Sequence, residues 1–117
     1  LKYSDVIINV ASTITIEAAI FNTPIVNVAF DGYAQKPYWD SVLRYYQDYT
    51  HYLNIVRTGG VKMARNPEEL IGAIQFYLRD HNADHEKRAQ IVSGQLGGFF
   101  GNATERFVDF IVNFLHY

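Results

Sequence analysis

The sequence predicts an α/β protein built on a small parallel sheet, with helices in its second half. Two apolar runs, residues 6–10 and 24–30, have the near-continuous hydrophobicity of strands that are covered on both faces. Residues 13–22 between them have the length of a crossover helix, which would complete a right-handed βαβ unit. This pattern is typical of a Rossmann-like sheet, of which we expect a half or more here.

Composition limits the class of protein before any motif is considered. The 117 residues are 49% hydrophobic and 19% charged, which favours one folded domain over residues 1–117. A net charge of −2 with no basic run argues against nucleic acid as a partner. The absence of cysteine excludes disulfides and thiolate metal sites and favours a cytoplasmic location. Because the chain opens on Leu1 inside the pattern, we expect a further domain upstream.

The second half of the chain predicts one more strand and three helices. Residues 61–64 read as a short strand after two glycines. Asn66, Pro67 and Glu69 have the spacing of a helix cap, and a second helix should run over residues 84–96 and stop at Gly97 and Gly98. Residues 102–105 form another capping sequence. The helix after it carries an apolar stripe, made of Phe107, Phe110, Ile111 and Phe114.

Residues 33–57 are rich in tyrosine and predict a long loop with one or two short helices. Aromatic rings in such a loop could stack on a base or a sugar, or dock the upstream domain. Tyr45 and Tyr46 are the candidates for a ligand contact.

The turn after the first strand is the main candidate site. Ligands of parallel sheets bind beyond the carboxyl ends of the strands, where Ser12 and Thr13 fall. Hydroxyls and free N–H groups at a helix start can hold a phosphate. Glu17 lies one helical turn after Thr13 and could accept hydrogen bonds from a ribose. The alternative is an ordinary helix cap with an acidic residue in the first turns, and spacing alone leaves both open.

A family resemblance covers nearly the whole chain. The stretch SDVIINVASTITIEAAIFNTPIVNVAFD, residues 4–31, resembles GT-B-type glycosyltransferases. Residues 51–57, 59–61, 67–70 and 101–106 resemble the closing segment of several such enzymes, including the CDP-glycerol glycerophosphotransferase-like group. Asn9 stands where plant-type transferases have a histidine, and glycines common in the turn of other relatives are Ser12 and Thr13 here.

The resemblance implies the C-terminal donor-binding half of a GT-B fold. It places the donor diphosphate at Ser12 and Thr13 and the nucleotide ribose at Glu17. The reaction would be transfer of a sugar, or of an alditol phosphate, from a nucleotide-activated donor to an acceptor, with no metal or other cofactor. The catalytic base would come from the missing N-terminal domain, so that this fragment alone should bind nucleotide and catalyse little.

Two further residues are candidates for a catalytic role. Asp31 ends the second strand, where relatives place a polar residue against the transferred group; a simple turn is the alternative. His51 falls at a helix start and could carry a proton near neutral pH, although a structural histidine is more common. His81 and His85 have metal-pair spacing but lack an acidic partner, so we expect no metal.

Two other functions share these features. A nucleotide-sugar 2-epimerase-like domain would have the same fold but a glycine-rich turn after the first strand. A non-catalytic flavodoxin-like interaction domain would carry an acidic cluster at the strand ends, where only Asp31 lies. For the whole enzyme, peripheral membrane association fits the family. Self-association could occur through the Phe-rich last helix together with Phe99 and Phe100.

Overall fold

The computed structural model describes residues 1–97 and 101–116. Its sheet has three parallel strands in the order β1-β2-β3. They are β1 Ile7–Asn9, β2 Ile25–Val28 and β3 Lys62–Ala64. Val26 lies between Ile8 of β1 and Lys62 of β3 in the register. The prediction of an α/β structure with a parallel sheet is confirmed, and each strand is shorter than the run that predicted it.

Helices make up most of the remaining structure. They are α1 Ile14–Ile20, α2 Leu43–Gln47, α3 Thr50–Arg57, α4 Pro67–Arg79, α5 His85–Leu96 and α6 Ala103–Leu115, with a 3-10 turn at Tyr38–Asp40. The predicted crossover helix is present as α1, and the later helices lie where their capping residues indicated. Gly97 ends α5 with a φ of +65°, a left-handed conformation that glycine adopts without strain.

The central strand β2 separates two apolar layers. Successive side chains of a strand point to opposite faces. Ile25 belongs to a cluster with buried residues of α1, α2, α3 and α5, and Val26 to a second cluster with Ala73 and Tyr77 of α4. The expectation of burial on both faces is therefore correct for β2. It is wrong for β1, an edge strand in which Ile8 remains 50% exposed.

The tyrosine-rich segment contains two short helices, as predicted, and in addition a 3-10 turn. The 3-10 turn, α2 and α3 cover much of residues 38–57. Two features fix this course: Tyr46, Tyr52 and Ile55 are buried in the core, and Asp31 accepts a hydrogen bond from the backbone N–H of Val42, just before α2. A long-range core contact decides the local structure here.

The two predicted helix caps have different outcomes. At α4, Asn66 Oδ1 accepts from the backbone N–H of Glu69, while Glu69 Oε2 accepts from the backbone N–H of Arg65, each at 2.8 Å. At α6, Asn102 makes no side-chain cap bond.

The helix α6 keeps its apolar stripe exposed, with Phe107, Phe110 and Phe114 each more than 60% accessible. It forms no extensive contact with the other described helices or strands. Gly98 of the predicted helix stop and Phe99 and Phe100 of the predicted apolar surface lie outside the described residues. Within residues 1–97 and 101–116, no helix has both the length and the apolarity needed to span a bilayer.

Candidate functional site

The carboxyl ends of the three strands lie along one edge of the sheet. Ser12 and Thr13 follow β1, Asp31 follows β2 and Arg65 follows β3. Neighbouring strands are about 5 Å apart, so the edge from β1 to β3 spans about 10 Å. The sheet therefore brings the predicted turn and Asp31 to the same edge, as parallel pairing requires.

The turn after β1 satisfies part of its own hydrogen bonding. Ser12 Oγ accepts from the backbone N–H of Ile14 at 3.3 Å, and Asn9 Oδ1 accepts from the backbone N–H of Ser12 at 3.5 Å. Both bonds are at the long end of the range and are correspondingly weak. Thr13 is exposed, and its hydroxyl has no hydrogen-bond partner among the described residues. An anion at this turn would replace weak internal bonds with stronger, charge-assisted ones.

Glu17 has the position that the sequence predicts. It is exposed, while its neighbours Thr15 and Ala18 are buried, so its carboxylate lies on the same side of α1 as Thr13. With seven residues, α1 contributes only a small dipole. The affinity of a ligand here would depend on the hydroxyls, the turn N–H groups and Glu17.

Tyr46 has a structural position rather than the ligand contact we considered for it. Its ring is 6% exposed and packs edge-on against Tyr52, with 5.6 Å between ring centroids. Its hydroxyl donates to the carbonyl of Val28 at 2.9 Å and accepts from the backbone N–H of Ala11 at 3.1 Å. Burial raises the pKa of this phenol. Tyr46 thus joins the ends of β1 and β2 and offers no ring face to a base or sugar.

A buried polar network lies directly beneath the turn. The hydroxyl of Tyr52 donates to Asn27 Oδ1 at 2.9 Å and lies 2.8 Å from Thr15 Oγ1. Asn9 Nδ2 donates to Thr15 Oγ1 at 3.2 Å. This network was not predicted from the sequence. The available signal was one asparagine inside each apolar run, and these two asparagines, Asn9 and Asn27, pair across the sheet.

The carboxylate of Asp31 accepts hydrogen bonds from the residues just before α2. The hydroxyl of Ser41, the backbone N–H of Val42 and the charge of Lys36 together hold the pKa of this carboxyl below its usual value. A general base near neutral pH needs a shift in the opposite direction. The geometry gives Asp31 the role of fixing the loop to α2, and nothing in it favours proton transfer.

A cavity of about 520 Å³ opens at the ends of β2 and β3. Its volume is in the range of small-molecule sites. The polar groups in its wall include Asp31, Lys36, Tyr38, Ser41 and Arg65. Ser12, Thr13 and Glu17 do not line it. Lys36 and Arg65 were not predicted as site residues, although Arg65 is the first residue after β3 and follows the same positional rule as Ser12 and Asp31.

His51 and Tyr45 belong to an exposed aromatic group. Tyr49 lies against both, with ring centroids 5.8 Å from His51 and 5.2 Å from Tyr45. His51 is exposed in the first turn of α3 and has no hydrogen-bond partner among the described residues. The group offers ring faces to a ligand and places no proton-transfer partner beside His51.

Hydrogen bonds to nearby residues involve both His81 and His85. The carbonyl of His81 accepts from Arg88 at 2.9 Å, and the ring of His85 lies 3.2 Å from the carbonyl of Asn82. In the part of the chain that the structure describes, no group of three or more His, Asp or Glu side chains could hold a metal ion.

Comparisons with protein-family models, with curated proteins and with solved structures found no match to this chain. The geometry of the sheet edge therefore carries the functional interpretation.

Proposed function

We propose that this chain is the donor-binding part of a glycosyltransferase that moves a sugar or an alditol phosphate from a nucleotide-activated donor to an acceptor. In this proposal the sheet belongs to the C-terminal half of a GT-B fold. The donor diphosphate lies at Ser12 and Thr13 and its ribose at Glu17, and the catalytic base comes from another domain.

The observation that carries the proposal is the position of Ser12 and Thr13 at the carboxyl edge of one parallel sheet, the same edge along which a ligand-sized cavity opens. This edge is where open α/β sheets bind their ligands. The free hydroxyl of Thr13 and the exposed carboxylate of Glu17 lie about one helical turn apart, so they could contact neighbouring phosphate and ribose groups of one nucleotide. The half-exposed Ile8 on edge strand β1 also fits a larger sheet, in which a further element covers it.

Titration with UDP, CDP and GDP, followed by NMR, tests the proposal. We expect chemical-shift changes in residues 9–17 at millimolar nucleotide. Failure of all three nucleotides to perturb these residues would remove the main support for a transferase and leave a non-catalytic interaction domain as the better description.

Glu17→Ala tests the ribose assignment. Loss of a charged hydrogen-bond partner should weaken nucleoside diphosphate binding about tenfold and leave pyrophosphate binding nearly unchanged. Glu68→Ala, which removes an exposed carboxylate from the first turn of α4, is the matched control and should change neither. Equal losses for nucleotide and pyrophosphate in Glu17→Ala would contradict the ribose contact.

A further inference from the structure

The cavity at the ends of β2 and β3 differs in charge from the protein as a whole. The chain carries a net charge of −2, whereas the cavity wall carries the cations Lys36 and Arg65 against the single carboxylate of Asp31. A net positive wall in an acidic protein favours an anionic ligand.

Neither cation forms a close ion pair, although the charge of Lys36 acts on Asp31 and lowers the pKa of that carboxyl. Among the described residues, the side chains of Lys36 and Arg65 form no hydrogen bond and no ion pair within 4.0 Å. The backbone of Arg65 is nevertheless fixed, because its N–H donates to Glu69 Oε2 at 2.8 Å. An arginine on an anchored backbone presents a planar fork of donors, which matches phosphate and carboxylate oxygens.

The loop over the cavity adds further donors. Backbone N–H groups of residues 32–36 find no acceptor among the described residues. The loop is tied down at one end by Asp31, which binds Val42 and Ser41, and Gly32 turns it with a φ of +78°. Unpaired N–H groups in a turn are common ligands of bound anions.

We infer that this cavity binds an oxyanion, a phosphoryl or carboxyl group, through Arg65, Lys36 and the N–H groups of residues 32–36. The site lies on the same sheet edge as the Ser12 turn, about one to two strand spacings from it, at the ends of β2 and β3. If the proposed function holds, the oxyanion belongs to the transferred group or the acceptor rather than to the donor diphosphate. That last assignment rests on the proposed function; the oxyanion site does not.

The test is an NMR titration of the full 117-residue chain with inorganic phosphate, acetate and uncharged glycerol at constant ionic strength. We expect phosphate or acetate to shift the amide signals of residues 31–36 and Arg65, and glycerol to leave them unchanged. The stronger of the two anions identifies the group as phosphoryl or carboxyl. Shifts confined to residues 9–17, or equal shifts with glycerol, would overturn the inference.

Two variants make the test specific. Arg65→Gln should weaken binding of the anion by about tenfold or more, because hydrogen bonds from a charged donor are stronger than those from a neutral donor. Lys36→Gln should weaken it by a smaller factor, since an ammonium contributes a point charge without the fork geometry. Arg79→Gln, an exposed arginine at the end of α4, is the control and should have no effect. Unchanged affinity in both Arg65→Gln and Lys36→Gln would refute the site.

The outcomes separate this inference from the proposed function. Nucleotide shifts in residues 9–17 without anion shifts in residues 31–36 would refute the oxyanion site alone. Anion shifts in residues 31–36 without any nucleotide response would refute the donor-binding proposal and leave the oxyanion site in place.

Discussion

Removing the buried hydroxyl of Tyr52 should destabilise the fold by much more than removing an exposed hydroxyl would. This hydroxyl donates to Asn27 Oδ1, and Asn27 is 0% exposed. Asn27 Nδ2 already lacks a partner among the described residues, so Tyr52→Phe would leave the whole amide of Asn27 unpaired. Thr15 would keep its contact with Asn9.

The magnitude follows from desolvation rather than from packing. A buried acceptor left without a donor costs about 1–3 kcal/mol, and the phenylalanine ring fills the site except for one oxygen. The free energy of unfolding should therefore fall by about 1–3 kcal/mol. For a chain of this size the melting temperature should fall by about 4 °C for each kcal/mol.

Urea denaturation followed by circular dichroism measures this loss, and an unchanged m-value shows that the unfolded state is not altered. The control is Tyr45→Phe, since Tyr45 is an exposed residue and its hydroxyl makes no hydrogen bond with the described residues; its effect should stay within about 0.5 kcal/mol. The double variant Tyr52→Phe with Asn27→Leu should lose less than the sum of the single losses, because both polar partners are then removed. Equal stability of Tyr52→Phe and Tyr45→Phe, or strict additivity in the double variant, would refute the reasoning.

Three other predictions concern packing, alkaline pH and association. Gly60→Ala should lower the midpoint of urea unfolding, because a Cβ there would lie 2.8 Å from the backbone of Lys87; Gly72→Ala, with nothing within 4 Å, should raise stability by up to about 1 kcal/mol. Equal effects at the two glycines would show that the contact with α5 is not tight. Burial raises the phenol pKa at three positions, Tyr46, Tyr52 and Tyr77. A raised folded-state pKa contributes stability that is complete below the unfolded-state pKa and is lost as pH rises towards the folded-state value, so stability should be intact up to about pH 10 and fall above it. Phenolate absorbance that rises fully before circular dichroism changes would contradict this. If the exposed stripe of α6 mediates self-association, Phe110→Ser should reduce it in sedimentation velocity and leave the melting temperature unchanged, since α6 packs little on the rest; loss of stability would show that α6 packs against the core.

The sequence predicted the parts of the structure that depend on local patterns. Apolar runs predicted the strands, and Asn66 with Pro67 predicted the start of α4, because a cap and a fixed φ act within one turn. The polar network could not be predicted in the same way. Tyr46 and Tyr52 reach the first turn across 35 and 37 residues, and no local pattern indicates which tyrosine of a rich segment turns inward.

The candidate site, too, could be predicted from the sequence only in part. Ser12 and Asp31 could be assigned to one edge from the direction of parallel strands alone. Applying the same rule to β3 would have added Arg65. The cavity wall required the structure, because Lys36 comes from a loop whose course depends on the bond between Asp31 and Val42.

The internal bonds of the turn limit which ligand can bind there. The N–H of Ala11 is held by the buried hydroxyl of Tyr46, whereas the N–H groups of Ser12 and Ile14 are held only at 3.5 and 3.3 Å. A phosphate would displace the two long bonds first and leave Tyr46 in place, because displacing the Tyr46 hydroxyl would also break its bond to the carbonyl of Val28. The turn thus supplies few strong donors to an anion. A ligand that binds tightly at this edge must gain the rest of its affinity elsewhere, and the cavity with Lys36 and Arg65 opens farther along the same edge, at the ends of β2 and β3.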